Sequence, residues 1–344
     1  MLYTTTRNNV DTYTAQRVLT LKRGPDGGLF VPFHLPVFTK EEILALGKKN
    51  FNARLSDILN LLFGTRLTGY DIDLSVGRHA VRLNQLGQRL LIGECWHNID
   101  WQFSRVVRDL SQLMLAEKNA DVEIEGWAET GIRIAVLFGI FGELIREGMA
   151  SHEKTVDISV VSGNFSGPMS AWYARGMGLP IGNIVCCCNE NSSLWDFICH
   201  GQLRTDGIAL KTIVPEGDTI IPEELERLIL AYGGPEEVLN YVQTIRQGGT
   251  YYVDEGFLSR MRKGIYVTVS SERRICSTIS SCFSTHRCLL SSGSALAYAG
   301  LQDYRARTGE SRPALILAEK SPRLDMELIM DVMDTTQQEL EKIL

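Results

Sequence analysis

Between residues 156 and 188 the chain runs from an apolar strand through a glycine-rich turn and a helix into a second apolar strand. Val156–Val161 reads as the first strand, Gly163-Asn164-Phe165-Ser166-Gly167 as the tight loop, Pro168–Met177 as the helix and Ile184–Cys188 as the second strand. Strand, helix and strand within about 30 residues form a βαβ unit, and that unit demands a parallel sheet. Pro168 suits the first helical turn, where its missing N–H costs nothing, and Gly178 ends the helix. The fold class is therefore α/β.

Further strands are predicted at 209–214 and 314–318, and helices at 222–231, 254–262, 270–283, 295–307 and 326–344. The first 90 residues form a small α/β module. In it the turn Gly24-Pro25-Asp26-Gly27-Gly28 precedes a short strand at Leu29–Pro32. Thr39 followed by Glu42 has the spacing of a capping box at a helix start. Two domains follow, residues 1–90 and 91–344, as expected for a chain of 344 residues.

Composition narrows the function classes. A formal charge of −6 with no basic block offers no electrostatic footprint for nucleic acid or an anionic membrane. The polar start, Met1-Leu2-Tyr3-Thr4-Thr5-Thr6-Arg7, does not read as a secretory signal, and no apolar run reaches membrane-spanning length. A cytoplasmic address is expected. The eight cysteines form no CxxC pair, and Cys186-Cys187-Cys188 reads as buried strand. Cys282, His286 and Cys288 read as one helix face and its end, so no metal is assigned.

A glycine-rich loop between a strand and a helix presents backbone N–H groups where the helix dipole favours an anion. Ser166 could add a hydroxyl donor. Such turns also carry glycine for geometry alone, and the loop by itself leaves both readings open.

Several segments, in order, resemble one family. Ser162-Gly163-Asn164-Phe165-Ser166-Gly167, followed by Ala174-Arg175-Gly176-Met177-Gly178-Leu179-Pro180-Ile181, is similar to the phosphate loop and next helix of threonine synthases. Asn189-Glu190-Asn191 matches the family's polar turn. Thr212 to Asp218 with Leu225-Glu226-Arg227-Leu228 matches a later segment and its helix. Thr6-Arg7 and Pro25-Asp26-Gly27-Gly28-Leu29-Phe30-Val31-Pro32 resemble the family's N-terminal signature. The resemblance implies a fold-type II pyridoxal-phosphate core with a threonine-synthase-type N-terminal domain. It also implies an ancestral conversion of O-phosphohomoserine to threonine, with a lysine holding the cofactor as an imine.

The same resemblance exposes departures. The family's lysine segment corresponds to Glu94-Cys95-Trp96-His97-Asn98-Ile99-Asp100-Trp101-Gln102-Phe103-Ser104-Arg105, which puts Ser104 at the lysine position with His97 nearby. A hydroxyl cannot form an imine, and the guanidinium of Arg105 stays protonated. Lys118, the next amine, sits in a polar stretch with nothing to lower its pKa. The family's following lobe carries a Ser-Gly-Asp-Thr-Gly loop, yet Leu110–Ile124 is too short for a βαβ unit, so one lobe is expected to be lacking. Near the ring nitrogen, Gly293 stands at the family's histidine position and Ser294 remains as a hydrogen-bonding group.

Gly163, Asn164, Phe165, Ser166, Gly167 and Ser294 are thus the candidate cofactor-binding residues, and no residue is assigned a catalytic role. Pyridoxal phosphate is not expected as an internal imine. The leading expectation is a pseudoenzyme that keeps at most a loose site for a phosphorylated small molecule. Its partner would be another protein or a second copy, seated on the surface the absent lobe uncovers. The alternative is an enzyme of altered chemistry on a phosphoamino acid, using Ser104, His97, Cys199 or His200. Simple decay of the gene is disfavoured by the regular hydrophobic patterning after residue 125.

Overall fold

In the computed structural model, residues 1–8, 10–77, 81–96, 102–117 and 126–342 are described. The central sheet has six strands, in the order Ile265–Val269, Ile181–Cys188, Val156–Val161, Ala314–Ala318, Leu90–Glu94 and Arg82–Gln85. The first five run parallel and Arg82–Gln85 closes one edge antiparallel. Parallel strands covered by helices on both faces read as continuous apolar runs, which accounts for Cys186, Cys187 and Cys188 lying fully inside.

The βαβ unit forms as the sequence predicts. Its helix begins at Ser166 rather than Pro168, so Ser166 and Gly167 belong to the first turn. Phe165 takes the N-cap with φ 74°, a left-handed conformation, and its ring lies in the core.

Three expectations change. Residues 209–214 form no strand. Asn191 holds both backbone groups of Leu210, at 2.8 and 3.0 Å, while Asp218 accepts from the Thr212 N–H and Glu272 from the Ile213 N–H, each at 3.0 Å. With its polar groups taken by side chains, the segment has no ladder to join. The helix expected over 222–231 runs from Leu225 to Gln247, with a break at Gly234 (φ 78°) just before Pro235. The expected helix over 326–344 is split into Met326–Met333 and Gln337–Glu341 by a left-handed Asp334.

The N-terminal module pairs Leu2–Thr5 with Tyr13–Thr14 and Phe30–Pro32, and Thr39 and Glu42 make the expected capping box. Its helix Phe51–Phe63 lies against the core helix Trp127–Arg146. The contact is close because Gly131, Gly139 and Gly142 of the core helix leave room for Phe63, Leu55 and Arg54; a Cβ on Gly142 would fall on the Arg54 guanidinium. Arg54 is completely buried there. It donates to the carbonyls of Leu46 (2.7 Å), Gly139 (2.9 Å) and Lys49, and to the Glu143 carboxylate (2.6 Å).

Helix Phe103–Glu117 is followed by Trp127–Arg146 with only residues 118–126 between them. A βαβ unit needs roughly 30 residues. The connection is therefore too short for the βαβ lobe that the resemblance expects at this point, and the described residues on either side supply no strand of it.

Candidate functional site

A cavity of about 280 Å³ opens at the C-terminal ends of two central strands, where side chains from separate segments converge. Val160, Val161 and Leu317 form its floor. Gly163, Asn164, Ser166 and Gly167 supply one wall from the turn and first turn of the following helix. Ser291, Gly293 and Ser294 supply another from the start of helix Ser292–Thr308. Five of the six sequence-derived binding candidates thus meet here. Phe165 does not; it sets the turn geometry and packs inward.

The charged walls come from residues that sequence reasoning passed over: Glu129 and Arg133, Glu216, and Glu319 with Lys320. Glu319 and Lys320 directly follow strand Ala314–Ala318, and charge just beyond the C-terminal end of a parallel strand is a readable signal. Glu129 and Arg133 sit one turn apart on helix Trp127–Arg146, and nothing local marks them.

Most of this charge is already committed. Arg133 donates to Glu129 at 2.9 Å and to Glu319, and its guanidinium lies 4.8 Å over the Phe103 ring. Burial works against its charge, but Glu319 and Glu129 more than offset that and raise its pKa. Burial also opposes ionisation of Glu129, yet Arg133 and the Ser166 hydroxyl hold its pKa below the ordinary value. Lys320 pairs with Asp325, whose other oxygen accepts from the Ser292 N–H at 2.7 Å and its hydroxyl at 2.8 Å.

Within the loop, and among the described residues, only Ser166 and Phe165 have their N–H groups taken, Phe165 by the Ser162 carbonyl at 2.7 Å. The Ser166 N–H bonds Asn164 Oδ1 at 3.0 Å, and the Ser166 hydroxyl donates to Glu129 at 3.1 Å. Ser291 and Ser294 hydroxyls pair at 2.9 Å.

Ser104 lies elsewhere. It is exposed on helix Phe103–Glu117, with its hydroxyl 3.3 Å from Gln102, and it is not among the cavity walls. His97 and Lys118 fall outside the described residues. Cys199 and His200 end helix Ser193–His200, away from the cavity walls, where the His200 ring meets Trp195. Burial raises the Cys199 thiol pKa, so it is not a ready nucleophile. Cys282 lies on helix Glu272–His286 and Cys288 just beyond its end. Among the described residues no group of three metal-ligating side chains is assembled.

Parallel strands under a glycine turn and two helix starts, with a small N-terminal module, give the chain the fold of the solved threonine synthases. The comparisons agree. Residues 2–78 match the family model described as threonine synthase N terminus. Threonine synthase-like 1 of Homo sapiens is 26% identical over 159 residues, 45% of this chain and 21% of that protein. Threonine synthase of Saccharomyces cerevisiae is 31% identical over 121 residues, 32% of this chain and 24% of that protein. The solved pyridoxal-phosphate-bound threonine synthase from Brucella melitensis superposes with a TM-score of 0.86 at 18% identity, covering 97% of this chain and 92% of that one; at that identity the match speaks for the fold. The chain is thus similar to threonine synthases in its fold, and its first 78 residues match their N-terminal domain. It spans about a fifth of the length of the threonine synthase-like 1 proteins it matches.

The cofactor of that family can be tested against these walls. Its phosphate carries roughly −1.5 to −2 charges at neutral pH and needs free donors. Here three carboxylates face the cavity against two cations, both cations are paired, and the loop serine is spent on Glu129. The aldehyde would require an amine, and position 104 offers an exposed hydroxyl. The residues present do not fit the cofactor as an imine, although the N–H groups of Gly163, Asn164 and Gly167 have no acceptor among the described residues.

Proposed function

We propose that this threonine synthase relative is a binding protein without lysine-based cofactor chemistry. The observation that carries the reading is Ser104: a hydroxyl, exposed and outside the cavity, at the position where the family places its imine-forming amine. Burial and a positive neighbourhood tune a catalytic amine, and an exposed serine has neither the atom nor the setting. Lys320 is an amine at the cavity, but it is engaged in an ion pair with Asp325.

A protein partner belongs to this reading. The irregular segment before Glu216 exposes Ile208 and Leu210, which are 90% and 57% accessible and stand two residues apart in an extended stretch. Exposed apolar side chains two residues apart support association through that segment. A cytoplasmic address also belongs to it, supported by eight cysteines that are all unpaired. Among the described residues no helix is long and apolar enough to cross a membrane.

Activity assays test the reading. With pyridoxal phosphate and O-phosphohomoserine present, the protein is expected to release no threonine, and Ser104→Lys is expected to release none either. The restored amine would project from an exposed helix position, and the cavity's carboxylates would still oppose the phosphate. Turnover by Ser104→Lys would show that a single side chain, rather than the rest of the cavity, separates this chain from its relatives.

A further inference from the structure

Two cysteines that stand six residues apart in the sequence meet at a helix end. Helix Glu272–His286 stops at Arg287, which takes φ 55° and donates its N–H to the Phe283 carbonyl at 2.9 Å. In a left-handed stop of this kind the chain turns back, and the residue after it packs onto the last turns of the helix. Here that residue is Cys288, and the helix position it meets is Cys282. Both lie in one apolar cluster, Cys282 exposed by 1% and Cys288 by 8%, and the Cys282 S–H donates to the Cys288 sulfur.

The two thiols are not equivalent. Donation by Cys282 holds the pKa of Cys288 below the ordinary thiol value, against burial and the nearby Glu94 carboxylate and with some help from Arg82. The Cys288 thiol also touches the Leu289 carbonyl and accepts from Asn84 Nδ2, each at 3.7 Å. Every other cysteine is pushed up, Cys282 by its donation to Cys288 and the rest by burial. A pair in which the more accessible thiol has thiolate character and its neighbour already touches its sulfur has the layout of a nucleophile and a resolving thiol.

We propose that Cys282 and Cys288 form an oxidation site for a small hydroperoxide, closing to an intramolecular disulfide that thiol reductants reopen. The Cys288 thiolate attacks one oxygen of hydrogen peroxide, the O–O bond breaks, and the other oxygen leaves as water with a proton from solvent. Cys288 is then a sulfenic acid. The Cys282 sulfur attacks it, the S–S bond forms as the S–O bond breaks, and the hydroxyl departs as water with the Cys282 proton. The two thiols give up two electrons in all, and the peroxide takes them. This site shares no residue with the cavity and goes beyond the reading of the chain as a binding protein.

Peptide mapping tests it. The reduced full chain is treated with hydrogen peroxide in buffer without denaturant, capped with iodoacetamide and digested with trypsin. Cleavage after Arg287 falls between the two cysteines, so the flanking peptides stay joined only through the disulfide. The joined pair is expected, with loss of both free thiols and release by dithiothreitol. Cys288→Ser is expected to leave the Cys282 thiol free under the same treatment. Cys282→Ser is expected to stop at a sulfenic acid on Cys288 that dimedone traps. Separate recovery of both capped cysteines from the unmodified chain, or dimedone labelling of Cys282 in Cys288→Ser, would overturn the proposal. If either variant fails to fold, the map of the unmodified chain decides.

Discussion

Replacing Arg54 with alanine is expected to destabilise the protein by about 3–5 kcal/mol, the range for breaking a buried ionic group away from its partners while opening a cavity. The side chain is wholly buried and ties three backbone carbonyls and Glu143 together across the contact between the N-terminal module and helix Trp127–Arg146. Alanine removes every donor at once and leaves those carbonyls without it in a dry interface. Urea denaturation checks this as a lower midpoint at unchanged slope. A loss below about 1 kcal/mol would mean that water enters and replaces the guanidinium, so the module is less tightly joined than its packing implies.

Arg133→Ala is the second large effect, again about 3–5 kcal/mol at neutral pH, because it leaves Glu129 and Glu319 facing each other without the cation between them. The pH dependence gives this prediction its signature. In the native protein the folded-state pKa of Glu129 is lowered, so its contribution is full above the unfolded value, near 4.3, and is lost as pH falls through the folded one. Without Arg133 the two carboxylates and their burial push the folded-state value above the unfolded one instead. Protonation then relieves the variant while acid strips the native protein of its advantage. The stability gap should narrow steadily from pH 7 towards pH 4. A gap that stays constant with pH would show that Arg133 acts by packing on Phe103 alone.

Which parts of the fold could be read in advance depends on the range of the forces that make them. The strands Val156–Val161 and Ile181–Cys188 are buried on both faces, so their apolar runs stand out in the chain itself. The capping box at Thr39 and Glu42 is a contact between residues three apart and is equally plain. Residues 209–214 misled because their backbone partners are side chains, Asp218 from the adjoining turn and Asn191 and Glu272 from farther along the chain. The break at Asp334 turns on one residue adopting φ 47°, which apolar spacing does not register.

The cavity divides in the same way. Its glycine wall and Ser294 were legible because strand–turn–helix order and the family resemblance both marked them. Its charged wall was not. Glu129, Glu216 and Glu319 reach one space from separate elements, and each looks locally like any surface acid. Those carboxylates set much of the charge of the cavity, and no motif announces them.

The most direct test is to incubate the purified protein with pyridoxal phosphate, reduce it with borohydride, and map the lysines by mass spectrometry. Ser104 and the paired Lys320 predict no lysine modified in stoichiometric yield. One lysine labelled to completion, Lys320 included, would contradict the account and return the chain to the cofactor-dependent enzymes it resembles.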